Sequence, residues 1–256
     1  MCLLLIALHA HRKYRLILAA NRDEFYDRPA APAHFWEDAP ALLAGKDLRG
    51  GGTWLGITKK GRIAALTNVR NPSLFKDGAP SRGKLVSSFL EGDESPPKYF
   101  DKIGRNAGDF NGFNLIAGDV ARLWWYSNWS DGIVEVSSGV HGLSNHFLDT
   151  PWPKVSFGKK GLSRLLSQEK DPSPPLLFNL LSDRTRPPDG DLPDTGMGLE
   201  WERILSPLFI KSPTYGTRCS TVVIIDNRGG VTFIEKTFHP ENEEPTFARY
   251  DFEIEC

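Results

Sequence analysis

The sequence lacks the hallmarks of several protein classes. It has three cysteines, Cys2, Cys219 and Cys256, too few and too scattered for a disulfide framework or a cysteine-built zinc site. That scarcity fits a reducing compartment, so a soluble, cytoplasmic protein is expected. The formal net charge is -1 and no block of like charge occurs, so no long-range field favours nucleic acid or anionic membrane. No stretch approaches the ~20 apolar residues that span a bilayer, so no membrane insertion is expected. The N-terminal run MCLLLIAL has no basic region before it and no small-residue cleavage site after it, where His9, His11, Arg12, Lys13 and Arg15 follow. A secretory signal would have both. Internal repeats and metal-ligand spacings are also missing.

What is present reads as one globular domain over residues 1–256. Hydrophobic residues make up 40% and charged residues 25%, ordinary proportions for a packed domain. Strand-like runs come in pairs: LLLIAL with YRLILAA, TWLGIT with RIAALTN, FNLIAGD with RLWWYS, and STVVIID with VTFIEKTF across DNRGG. IVEVSSGVHGLSN is β-rich, and ARYDFEI alternates and closes the chain as a strand. Helical patterns occupy RGKLVSSFL, PPKYFDKIGRNA, PWPKVSFGKKGLSRLLSQ and PPLLFNLLSD, the third with Asp149 or Thr150 as its expected N-cap. The Pro- and Gly-rich SDRTRPPDGDLPDTGMG reads as a long loop. Hairpins at both ends with helices between predict an α+β domain of layered sheets.

The first hairpin brings chemistry to its end. A turn centred near His11 would place Cys2 opposite Ala20, beside Asn21 and diagonal to Arg22, where the second strand leaves the core into the charged run Asn21–Glu24. A thiol, an amide, a guanidinium and the Asp23 carboxylate then share one sheet end. Removal of Met1 would expose an α-amine on Cys2 with an ordinary pKa near ~8, able to act as base for its own thiol. Asp23 could orient that amine, and Arg22 is expected to lower the thiol's pKa. Asn68 and Asn145 end strands of their own. Such residues are common turn formers, but their amides could also stabilise an oxyanion. Arg218 stands at a strand entrance and could clamp a substrate carboxylate. Thr53 and Trp54, in GGTWLG, could line the mouth of a pocket.

The chain resembles the NRDE family, named for the four residues Asn21–Glu24, whose eukaryotic members are called transport and Golgi organization protein 2. The pieces that carry the resemblance are MC at the start, YRLILAANRDEFYDRP, GGTWLGI, AALTN, NGFNLIA, GLSN, TPWPK and YGTR. They run through nearly the whole chain. The family is similar to the N-terminal nucleophile hydrolases, which implies a four-layer αββα sandwich. The resemblance to cysteine amidases of that superfamily puts Cys2 on their nucleophile and Asp23 on the carboxylate that steadies the amine. It puts Asn68 and Asn145 on two amides near the oxyanion, and Arg218 on a late arginine. It also shows a departure: the amidases carry an arginine where this chain has Ala20, and Arg22 follows two residues later on the same strand face.

Two classes of function follow from the resemblance. One is hydrolysis of an amide or thioester through Cys2, with no cofactor required. The other is non-catalytic binding or transport of haem, or binding of acyl-coenzyme A or lipid, in the same pocket. Candidate haem-facing groups are His141, His146, Cys2 and the aromatic run Trp124, Trp125 and Tyr126 with Trp129. The ligand-binding residues expected in either class are Asn21, Arg22, Arg218, Trp54 and His146.

Overall fold

The computed structural model describes residues 2–168, 171–239, 241 and 244–255. Met1, whose removal the nucleophile reading requires, and Cys256 lie outside the described residues. The first hairpin pairs β1 (Cys2–Leu8) with β2 (Tyr14–Phe25). There follow β3 (Ala30–Phe35), β4 (Leu42–Asp47), β5 (Leu55–Thr58) and β6 (Ile63–Asn68), then helices α1 (Gly83–Glu91) and α2 (Pro96–Gly104). Next come β7 (Phe113–Gly118), β8 (Leu123–Ser127), β9 (Ile133–Glu135) and β10 (Gly139–Leu143). Helices α3 (Pro153–Ser167), α4 (Pro174–Leu181) and α5 (Leu199–Leu205) lead into β11 (Tyr215–Asp226), β12 (Gly230–Thr237) and β13 (Thr246–Glu253).

The strands form two antiparallel sheets, one ordered β10-β1-β2-β11-β12-β13 and one running β3 to β9 in sequence order. Three apolar cores divide the fold into four layers. Between the sheets, Leu4, Ile6, Leu16 and Leu18 meet Leu43, Leu55, Ile57 and Ile116. On the outer face of the first sheet, Leu3, Leu5, Ile17 and Ala19 pack on Val155, Leu162, Leu177 and Leu181 of α3 and α4. On the outer face of the second, Ala64 and Leu115 pack on Val86 and Phe89 of α1 and Phe100 of α2. The result is the expected αββα sandwich. Because β1 has a core on both faces, all seven of its residues are buried and apolar, where a half-exposed strand would alternate. Strand β13 lies at the sheet edge and alternates between exposed and half-buried.

The structure moves several sequence expectations. The β1–β2 loop is centred on Arg12, so Cys2 pairs with Arg22 and Leu4 with Ala20. The second strand does not leave the core at Asn21; it continues to Phe25, because β11 pairs with it as far as Tyr215 opposite Phe25. The N-cap of α3 is Trp152, not Asp149 or Thr150. Asp149 takes φ 60° and bonds the Gly142 N–H, the His141 ring and the Lys159 ammonium. Helix α5 forms within seven residues of the expected loop's end, too short for a periodic signal. Among the described residues, no helix is long and apolar enough to cross a membrane.

Candidate active site

Strand β2 divides the residues of its polar end between two faces. Alternation puts Leu18, Ala20 and Arg22 toward the second sheet, and Ala19, Asn21 and Asp23 toward the helices. The inter-sheet face opens at this end into a cavity of about 480 Å³. Cys2, Arg22, Asn68, Trp54, Thr53 and Arg218 line it, with Asp23 at its end. Asn68 ends β6 opposite Phe113, on the facing sheet from Cys2. The cavity therefore lies between the sheets, with the thiol on one wall and an amide on the other.

Cys2 is 6% exposed and its thiol reaches the cavity. Burial pushes the thiol above its ordinary pKa; Asp23 adds to that, while Arg22 and the Asp23 backbone N–H oppose it without reversing it. The expected depression by Arg22 is thus outweighed by desolvation. Cys219 flanks Arg22 on the other side, paired with it across β11, and also lines the cavity. Two strand spacings separate the cysteines, roughly 10 Å, beyond the Cα separation a disulfide allows. Burial raises Cys219 well above the ordinary thiol range, and Glu235 adds to it.

Arg218 owes its position to an irregularity. The β2–β11 register shifts between Thr217 and Cys219, leaving Arg218 as an extra residue, and such bulges re-aim a side chain. Its Nη1 donates to the carbonyls of Phe25 and Arg28, 2.8 and 2.9 Å away. Its Nε is buried with no hydrogen bond among the described residues.

The cavity is cationic. Seven basic side chains line it against four acidic ones, and burial raises the pKa of two of those acids, Asp23 and Glu235. Arg22 and Arg28 share Asp47 at 3.6 and 2.6 Å, and Lys46 pairs with Asp38. Arg49, Lys76, Arg82 and Arg218 make no ion pair among the described residues. Lys76 and Arg82 belong to the segment 69–82, which also brings Phe75, 65% exposed, to the cavity. Sequence reasoning passed over these four except Arg218, because lone surface cations carry no pattern.

The helix side is closed. Asn21 is fully buried; its Nδ2 donates to the carbonyls of Leu181 and Leu208 at 2.9 and 2.8 Å, and its Oδ1 accepts from Ser220 Oγ at 2.6 Å. With both donors taken, Asn21 braces the helix layer and is not among the cavity's lining residues. Asp23 accepts from Thr217 Oγ1 at 2.7 Å and faces Lys154 Nζ at 3.9 Å. Burial raises its carboxyl, against the pull of Lys154. Asn145 is buried one layer behind the cavity wall. Its Nδ2 donates to the Asn68 carbonyl at 3.0 Å and its Oδ1 accepts from Arg70 Nη2 at 3.3 Å. The neighbouring Ser144 Oγ donates to the Cys2 carbonyl at 3.1 Å. Asn145 thus holds the strand end that carries Asn68.

The histidines and the aromatic run lie elsewhere. His146 bonds Thr150 Oγ1 at 3.0 Å and packs on Phe147 and Trp152, outside the cavity lining. His141 pairs with Asp149 at 2.7 Å. Trp125 points into the inter-sheet core. Trp124 and Tyr126 alternate toward α1 and α2, as a strand requires, and Trp129 packs against Gly112.

Residues 1–240 match the family described as Transport and Golgi organisation 2. The chain belongs to that family. The Transport and Golgi organization protein 2 homolog of Homo sapiens is 38% identical over 241 residues, covering 88% of this chain and 87% of that protein. The Drosophila melanogaster protein is 28% identical over 249 residues, covering 88% and 86%. Among solved structures, a Caenorhabditis elegans ortholog of N-acylethanolamine-hydrolyzing acid amidase aligns with a TM-score of 0.53 at 11% identity, covering 87% of this chain and 92% of that one. A conjugated bile acid hydrolase from Clostridium perfringens aligns at 0.50 and 8% identity, covering 99% and 97%. At such identities the likeness shows the fold alone: this member of the Transport and Golgi organisation 2 family shares the αββα fold of those two hydrolases.

Proposed function

We propose that the chain hydrolyses an amide or thioester that carries an anionic group, with Cys2 as nucleophile. The observation that carries this reading is the placement of Cys2 on the wall of a cationic cavity, with Arg22 directly across from it and Asn68 on the facing sheet. Once Met1 is removed, the Cys2 α-amine lies at the end of β1 beside Asp23. The neutral amine takes the proton from the thiol, and the thiolate attacks the substrate's carbonyl carbon. The Asn68 amide donates to the oxyanion as it forms. Collapse breaks the C–N or C–S bond, and the ammonium returns its proton to the departing nitrogen or sulfur. Water, deprotonated by the same amine, then attacks the acyl carbon of the Cys2 thioester; the C–S bond breaks, the ammonium returns its proton to the Cys2 sulfur, and the carboxylic acid leaves. Arg22, two residues after Ala20 on the same face, supplies the guanidinium that the amidases place earlier. The neighbours with this fold include an ortholog of N-acylethanolamine-hydrolyzing acid amidase and a conjugated bile acid hydrolase, which supports the reaction class.

The test is a panel of N-acyl amino acids, acyl taurines and acyl thioesters incubated with the wild-type chain and Cys2→Ala. Product release by wild type alone supports the reading. No product and no acyl adduct on Cys2 for any compound overturns it.

A second reading is binding without turnover, of haem as cargo or of acyl-coenzyme A. The four lining cations without an ion pair among the described residues favour it, since propionates and phosphates are both anionic. With His141 and His146 outside the cavity, haem iron would rely on Cys2. Haem and acyl-coenzyme A titrations of wild type, Cys2→Ala and Arg218→Ala separate the cases. Saturable binding lost in Arg218→Ala indicates an anion clamp, and a Soret shift lost in Cys2→Ala indicates thiolate ligation.

A further inference from the structure

Behind the nucleophile, four buried charges meet on the helix side of β2, and the hydrolytic reading uses only Asp23. Lys154, the second residue of α3, is 2% exposed. Its Nζ faces Asp23 Oδ2 at 3.9 Å and donates to the Leu205 carbonyl, the last of α5, at 3.1 Å. Arg70 pairs with Glu202, both side chains 3% exposed. Two cations and two anions thus face one another in this buried set. Burial of single charges is costly, and only pairing makes it tolerable.

We propose that Lys154 is a positioning residue for the nucleophile: by occupying the cationic place beside Asp23, it keeps the Cys2 α-amine in its free-base form. The inference rests on the hydrolytic reading. A carboxylate alone beside a buried amine favours the ammonium, which has no lone pair to take the thiol proton. With Asp23 facing Lys154 and Glu202 paired with Arg70, an ammonium at Cys2 would be a third cation beside these two anions, and desolvation works against it. The end of β1 that carries the amine also faces two β2 charges of opposite sign, Arg22 and Glu24. Asp23 meets Lys154, the Thr217 hydroxyl and Arg70, and lies near the Tyr26 and Tyr215 phenols. Lys154 meets Asp23, Arg70, Cys2 and Glu202. Burial draws the Lys154 ammonium down to about 8, so the lysine still carries its charge at neutral pH. TPWPK, one of the motifs in the sequence, contains this lysine.

The test uses the full chain with Met1 removed, verified by intact mass, and labelled with [13C]cysteine. The Cys2 Cα shift is followed with pH. Wild type should titrate below the ordinary ~8 of an α-amine. K154M should raise the midpoint by ~1 unit or more, and K154R should restore it. If K154M does not fold, E202Q makes the same test with the opposite sign, because loss of an anion should lower the midpoint. A folded K154M or E202Q with the wild-type midpoint overturns the inference. Retention of Met1 removes the hydrolytic reading and this one with it. Acylation of Cys2 with an unmoved midpoint in the variants removes this one alone.

Discussion

Near its end, β2 carries amide and charged side chains on both faces, and the two faces treat them in opposite ways. On the helix face, Asn21 spends both donors on the carbonyls of Leu181 and Leu208, and Lys154, Arg70 and Glu202 lie buried with Asp23, which also reaches the cavity's end. On the cavity face, Arg22 shares Asp47 with Arg28, and four further lining cations, Arg49, Lys76, Arg82 and Arg218, make no ion pair among the described residues. One side of the motif braces the sandwich; the other offers positive charge to a ligand. Substitutions on the two faces should therefore separate stability from binding.

The largest effect belongs to the sealed face. Glu202→Ala leaves the Arg70 guanidinium buried without its carboxylate, and breaking such a pair costs about 3–5 kcal/mol. Urea unfolding of the variant should show that loss, and a change under about 1 kcal/mol would mean the pair is not buried as described. Asn21→Ala comes next. It abandons two buried carbonyls and the Ser220 hydroxyl, at about 1–3 kcal/mol, and should leave affinity for an anionic ligand unchanged. Lost affinity at full stability would place Asn21 on the cavity side instead. The exposed cations should behave in reverse. Arg49→Ala and Lys76→Ala should each move stability by no more than about 0.5 kcal/mol, while anion binding weakens and becomes less sensitive to salt.

The smallest effect is a pH dependence far from the cavity. Burial would raise Asp149, but His141, Lys159 and the Gly142 N–H hold it down at about 2. Its contribution is present above the unfolded value near ~3.9 and fades as pH falls toward 2. The Asp149 hydrogen bond raises His141 above its ordinary value. That contribution is full below ~6.5 and is lost as pH rises through the elevated pKa. Partial exposure keeps it under about 1 kcal/mol. The gap in melting temperature between wild type and His141→Gln should accordingly be larger at pH 5.5 than at pH 8.5, and an equal gap would contradict the pairing.

The layers were legible because their signals are local. Paired strand runs, DNRGG and four helical patterns each lie within a few residues, and each marks an element. The site was legible in its members and less so in its geometry. The pairing turns about Arg12, one residue past His11, which moves the partner of Cys2 by two residues, from Ala20 to Arg22. The fate of Asn21 depends on carbonyls 160 and 187 residues away, which no local pattern reports. An isolated Asn, Asp or Arg reads as a strand exit until the helix layer that satisfies it is in place. Lys154 had its own signal, a cation two residues after Trp152 in a motif already noticed, but a lysine at a helix start ordinarily belongs to solvent. WWYSNW packs as aromatics on a strand do, Trp125 in one layer and Trp124 and Tyr126 in the other, so the run does not line one pocket.

The central claim is that Cys2 is the chain's nucleophile, and it depends on a free α-amine. The most direct measurement is the intact mass of the purified chain before and after exposure to an acyl thioester, with the modified residue located by fragmentation. The account predicts a mature chain that begins at Cys2 and gains one acyl group there, in preference to Cys219. A chain that keeps Met1, or one acylated elsewhere while Cys2 remains free, would contradict it.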